Sequence, residues 1–205
     1  NKDAKQMLID LTDWMIDITA NLSEAQIQEM LASEHGGLNE TFADVYKMTG
    51  DKKYLDLAYA FTQKQVLDPL EHEKDILNGM HANTQIPKVI GYETIAALDQ
   101  NKDYHNAATY FWENVVNNRT VSIGGNSVRE HFHPADDFSS MVSSVQGPET
   151  CNTYNMLKLS EKLFLADAEE KYMDFYEQGL YNHILSSQHP EGGFVYFTPM
   201  RPSHY

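Results

Sequence analysis

The sequence predicts an all-α protein built of helical hairpins, with a short β segment at its C-terminal end. Three observations carry this. Apolar residues recur at spacings of three and four through most of the chain. A tight polar turn that ends in tyrosine occurs three times, at residues 49–54, 99–104 and 166–172. The pattern changes only after Gln188, where Gly192-Gly193-Phe194-Val195-Tyr196-Phe197 reads as a strand expected to pair with protein outside this chain.

The first helix is expected over residues 4–22, with Met7, Leu8, Leu11, Trp14, Met15 and Ile18 on one apolar face. Ser23 and Gln26 form a capping-box pattern opening a shorter helix through Met30 and Leu31, which stops at Gly36-Gly37. Three hairpins follow: residues 38–48 with 53–67, 86–98 with 104–116, and 150–165 with 172–186. Pro87 suits the first turn of its helix, where the missing N–H has no partner to lose. Tyr54, Tyr104 and Tyr172 should enter the second helix of each pair and cover the core, and Tyr154, Met156, Leu157, Leu159, Leu163 and Phe164 are assigned to core packing. Such hairpins bury their apolar faces only against one another, which gives an α/α array, open or closed into a toroid.

Composition narrows the function. A chain of 205 residues with 41% apolar and 22% charged residues supports one domain with a real core. The net charge of −15 repels phosphate backbones and anionic lipid, so no nucleic-acid partner is expected and a neutral or cationic ligand fits better. No run approaches the roughly 20 apolar residues of a membrane span, and the first residues lack an apolar signal core. The sequence gives neither a compartment nor an oligomeric state. Both ends read as cuts inside a longer protein, so residues 1–205 are expected to be a fragment of one catalytic domain. The single cysteine, Cys151, cannot form an internal disulfide.

The connections are short at one end of the hairpins and long at the other, where residues 68–85 and 117–149 lie with the His35-Gly36-Gly37 stretch. Loops this long usually carry function, so that end should hold the site. The loop of residues 117–149 gathers Gly124-Gly125-Asn126-Ser127, Glu130, His131, His133, Asp136, Asp137 and Glu149. The two glycines allow a tight turn and close approach to a ligand. Glu130 can act as a proton donor if partly buried, or be a plain loop carboxylate. Glu149 and Cys151 put a hard oxygen and a soft sulfur at a helix start, where the helix dipole favours a thiolate. They are half of a tetrahedral zinc site, or a helix-favouring acid beside a small buried cysteine. His81, Asn83 and Gln85 form a polar rim for sugar hydroxyls, although Asn83 or Thr84 equally serves as a helix cap. His35 is a ligand contact or a loop histidine. His131 and His133 are too few to hold a metal alone.

The motifs Glu34-His35-Gly36-Gly37-Leu38-Asn39-Glu40, His81-Ala82-Asn83-Thr84-Gln85-Ile86-Pro87-Lys88, Gly124-Gly125-Asn126-Ser127-Val128-Arg129-Glu130 and Gly147-Pro148-Glu149-Thr150-Cys151-Asn152 occur in order over nearly the whole chain. Together they resemble the catalytic module of glycoside hydrolase family 127, the beta-L-arabinofuranosidases. The resemblance implies a zinc-containing (α/α)6 toroid followed by β-sandwich domains, hydrolysing terminal beta-L-arabinofuranosides of plant-type glycans with retention. It makes Glu130 the general acid/base, Glu149 and Cys151 zinc ligands, and His35 and His81 sugar contacts. The family's nucleophile is a zinc-held cysteine of a Cys-Cys pair that does not occur in this sequence, so only the zinc half-site is expected here and the isolated fragment should be inactive. Enzymes that degrade plant glycans are often exported.

Two other readings compete. Polysaccharide lyases and sugar epimerases also use α/α toroids. A lyase acting on uronates wants a basic cleft, against which stand 15 basic and 30 acidic residues. A helical-repeat scaffold that binds a protein partner predicts short loops and a smooth concave face instead.

Overall fold

The structure is a computed structural model that describes residues 1–33 and 35–201; Glu34 of the first motif and residues 202–205 lie outside it. Among the described residues ten α-helices run in order: α1 Lys2–Thr19, α2 Glu24–Leu31, α3 Leu38–Thr49, α4 Lys52–Ala60, α5 Lys64–Glu71, α6 Ala82–Asp99, α7 Lys102–Arg119, α8 Ser139–Ser143, α9 Thr150–Asp167 and α10 Glu170–Gly179. The pairs α3–α4, α6–α7 and α9–α10 are the hairpins, and the protein is all-α.

Each hairpin turn repeats one local solution. The first helix ends on a left-handed residue, Gly50, Gln100 or Ala168, and an extended residue, Asp51, Asn101 or Glu169, opens the second. Asp51 and Asn101 accept hydrogen bonds from first-turn N–H groups that would otherwise lack partners. The tyrosine three residues on then turns inward: Tyr54 and Tyr172 are buried and Tyr104 is half-buried. Tyr172 stands edge-on to Trp112, with ring centroids 4.8 Å apart.

Helices α3, α6 and α9 lie side by side and run the same way. Asn39 of α3 donates to the Lys88 carbonyl of α6 at 2.9 Å, and Asn155 of α9 donates to Asn83 of α6 at 2.8 Å. Gly91 permits the first contact, since a Cβ there would stand 2.2 Å from Asn39 Nδ2. One apolar cluster joins α5, α6, α7, α9 and α10 through residues such as Ile86, Ile90, Phe111, Trp112, Leu159 and Phe175. A second joins α2, α3 and α4 to Ile95, with Phe42 edge-on to Phe61. Tyr104 packs against both.

Several elements differ from the sequence reading. The helix expected over residues 53–67 is broken into α4 and α5. The Gln28 side chain explains the break, donating to the Thr62 carbonyl and accepting from the Lys64 N–H, each at 2.9 Å. Helix α6 starts at Ala82 and not at residue 86; its cap is His81, not Asn83 or Thr84, and Pro87 therefore lies inside it. On α1, Thr12 and Thr19 are buried with Leu8 and Met15 beside them, while Met7, Leu11, Trp14 and Ile18 are exposed. The threonines can face inward because their hydroxyls donate back to carbonyls one turn earlier. Tyr154 is exposed rather than in the core.

At its end α10 loosens into a wider turn, Leu180–Ile184, which carries the fully buried His183. The expected strand is absent among the described residues. The chain reverses at Gly192 and Gly193, φ 97° and 98°, and makes isolated bridges Gln188↔Phe194 and Glu149↔Phe197 within this chain.

Candidate active site

The long loop doubles back on itself where the sequence places Glu130. Val128 and His131 exchange both backbone hydrogen bonds, 2.9 and 3.0 Å, leaving Arg129 and Glu130 as a two-residue hairpin turn. Both are left-handed, φ 49° and 67°, a conformation that Asn-Gly usually supplies in such turns. Ser127 is left-handed as well, φ 75°. Non-glycine residues in this region cost on the order of 1–3 kcal/mol each and persist only where neighbours hold them. Here the Ala82 N–H donates to the Glu130 carbonyl at 2.8 Å and the Arg129 N–H to the Gln146 carbonyl at 3.0 Å. Phe132 and Met80 continue the ribbon. Glu130 is thus fastened to the first residue of α6.

His81 has two roles in one ring. Its Nδ1 accepts the Thr84 N–H and caps α6, so the ring proton sits on Nε2. Nε2 stands 3.8 Å from Glu130 Oε2. The Tyr196 hydroxyl donates to Glu130 Oε1 at 2.9 Å. The Glu149↔Phe197 bridge delivers it there, so the segment read as a strand contributes a site residue that the sequence reading missed.

Glu149 and Cys151 flank the start of α9 beside this group. Glu149 is 1% exposed, and its Oε2 has no hydrogen-bond partner among the described residues. Burial pushes its carboxyl up, with Glu130 adding to the rise and Tyr196, His81 and Cys151 opposing it. The Cys151 thiol is also pushed up, first by burial and then by the charge of Glu149. The shift of the thiol runs against the thiolate that the helix dipole favours at this position. Two carboxylates and burial outweigh the first turn of one helix.

Among the described residues no group of three or more His, Cys, Asp or Glu side chains is placed to hold a metal. The pair still fits half of a zinc site chemically. A buried carboxylate oxygen without a partner stands beside a thiol whose proton a cation would displace.

His35 is less closely gathered. Its Nδ1 lies 3.2 Å from the Leu31 carbonyl, and burial followed by the charge of Lys88 holds its pKa below the usual value. Ser33, Gln63, His81, Thr84, Gln85 and Lys88 line a cavity of about 370 Å³ whose lining does not include His35. His131 and His133 separate: His131 lies edge-on to His81 at 5.2 Å, while buried His133 contacts backbone carbonyls. Gly124 and Gly125 allow close packing of the loop, with Gly124 left-handed at φ 86°. A Cβ on either would come within 2.6 Å of Gly179 or Pro148.

Comparison with known proteins bears on this arrangement. Residues 1–205 match the family model described as Beta-L-arabinofuranosidase, GH127 catalytic domain. Among solved structures, a GH127 beta-arabinofuranosidase is 26% identical with a TM-score of 0.63, over 80% of this chain and 27% of that one. A GH127 beta-L-arabinofuranosidase from Geobacillus stearothermophilus T6 is 18% identical with a TM-score of 0.62, over 79% of this chain and 30% of that one. A further glycoside hydrolase is 16% identical with a TM-score of 0.71, over 94% of this chain and 36% of that one. The chain thus spans about a third of the length of these structures. None of the curated proteins compared with it matches.

Proposed function

Since the chain belongs to the GH127 beta-L-arabinofuranosidase catalytic-domain family, we propose that it is part of a glycoside hydrolase removing terminal beta-L-arabinofuranosyl units from plant-type glycans, with Glu130 as general acid and base. The observation that carries this reading is the convergence on Glu130. Its carboxyl stands on a left-handed turn, bonded by Tyr196 and faced by His81, with Glu149 and Cys151 close by.

The chemistry assigns each group a task. Tyr196 occupies Glu130 Oε1, which leaves Oε2 for the proton that moves. Glu130 gives that proton to the glycosidic oxygen as the bond to the anomeric carbon breaks, then takes one from the water that completes hydrolysis. His81 offers its Nε2–H to a sugar hydroxyl, and His35 supplies a second sugar contact. Glu149 and Cys151 would hold zinc, which when bound favours the thiolate form of its ligands. The retaining course, with its cysteine nucleophile, is part of the proposal. So is the place of residues 1–205 in an (α/α)6 toroid that continues into further catalytic-domain and β-sandwich protein.

The test is hydrolysis of a chromogenic beta-L-arabinofuranoside by the full-length protein, with zinc assayed in each variant. Glu130→Gln should lose activity by about 10²–10⁴-fold and keep its zinc. Cys151→Ser should lose both. An inactive, zinc-free full-length protein would return Glu130 and Cys151 to structural roles.

A further inference from the structure

Asn152 and Ser127 lie behind the proposed site, and both are fully buried. Asn152 follows Cys151 on the first turn of α9, and Ser127 stands three residues before Glu130. Asn152 Nδ2 donates to Ser127 Oγ at 2.6 Å, joining the two halves of the site directly. The bond lands on a left-handed residue at the entrance to the Glu130 turn. The next residue along α9 repeats the grip: the Thr153 hydroxyl meets His183 Nδ1 at 2.7 Å and the Gly124 carbonyl at 3.5 Å. Consecutive side chains of one helical turn therefore hold the loop of residues 124–127.

Packing alone does not call for this chemistry. An apolar pair of similar shape would fill the same space without burying an amide whose Oδ1 has no partner among the described residues. Asn126 beside it is fully buried with neither amide atom partnered among the described residues, so the side-chain link from this loop to α9 runs through Ser127.

We propose that Ser127 and Asn152 are positioning residues whose hydrogen bond sets the spacing between Glu130 and the Glu149–Cys151 pair and holds the turn that aims the Glu130 carboxyl at the leaving oxygen. This inference rests on the glycosidase reading.

The experiment uses the full-length protein and two substrates, an alkyl beta-L-arabinofuranoside and a dinitrophenyl one whose leaving group needs no proton. Ser127→Gly removes the hydroxyl yet suits a left-handed backbone, so it folds, and Asn152→Ala removes the donor. Rates are taken per folded molecule, measured by circular dichroism. Each variant should lower kcat on the alkyl substrate by about 10- to 100-fold. KM should stay within about threefold of the parent. On the dinitrophenyl substrate kcat/KM, which reports only the step that expels the leaving group, should fall far less, and the double variant should be no worse than the poorer single, because both changes break one bond. Equal losses on both substrates, additive losses, or near-parental rates in both singles would overturn the proposal. A parent inactive on both substrates removes the glycosidase reading, and the inference with it.

Discussion

The two ends of the hairpin array treat their polar groups in opposite ways. At the short-turn end they are paired with one another. Tyr59 donates to Asp99 at 2.8 Å, Lys171 meets Glu113 at 2.9 Å, and His105 lies between Glu93 at 2.9 Å and Asp167 at 3.2 Å. The turns there also hold left-handed residues, Gly50, Gln100 and Ala168, but as helix caps. At the long-loop end, Ser127, Arg129 and Glu130 are left-handed, Glu149 Oε2 has no partner among the described residues, and the pKa of the Cys151 thiol is pushed up by burial and negative charge. The short-turn end pairs most of its charged groups with one another, while the long-loop end gathers its strained residues and unpaired acids around one point, where chemistry can use them.

The division can be broken or sharpened by substitution, starting from the largest effect. Trp112 is buried against Tyr172 and Phe175 and donates to Ser160 Oγ at 2.8 Å. Its replacement in Trp112→Ala should cost about 3–5 kcal/mol of stability, read from urea midpoints. Activity per folded molecule should change little, since the residue belongs to neither end.

His183 extends the contrast to pH. Burial depresses its pKa from 6.5 to about 4. Below 6.5 the unfolded chain takes up a proton that the folded chain refuses, so this stability is present above pH 6.5 and lost as pH falls toward 4. The loss should approach about 3 kcal/mol. His183→Gln should flatten the dependence in urea titrations at pH 7 and pH 4.5; an unchanged slope would place the titration elsewhere.

The smallest effect concerns strain. Arg129→Gly should raise stability by about 1 kcal/mol, because glycine adopts φ 49° without a steric cost. A lower melting temperature would mean that the turn is not strained.

What was legible in the sequence was mostly local. The three hairpin turns carry their own signals, a left-handed cap, an extended opening residue and an inward tyrosine, all within a few residues. The break at residues 61–63 was not legible, because Gln28 makes it from another helix. The ordered motifs single out Glu130, Glu149 and Cys151, and the fold brings them near one another and His81. His35 instead has its Nδ1 3.2 Å from the Leu31 carbonyl and feels the charge of Lys88. Tyr196 was missed because an alternating aromatic stretch says strand, and nothing local says that Glu149 pairs with Phe197. The upward push on the thiol is not legible locally because its largest cause is burial, which only the fold supplies.

The most direct test of the division is a paired measurement of melting temperature and arabinofuranosidase kcat/KM in the full-length protein for Glu130→Gln and Glu93→Gln. Glu93 is 2% exposed and bonded to His105. The predicted result is that Glu130→Gln keeps the melting temperature and loses activity, whereas Glu93→Gln keeps activity and loses about 1–3 kcal/mol of stability. Activity lost equally in both variants, or stability lost in Glu130→Gln alone, would contradict the account.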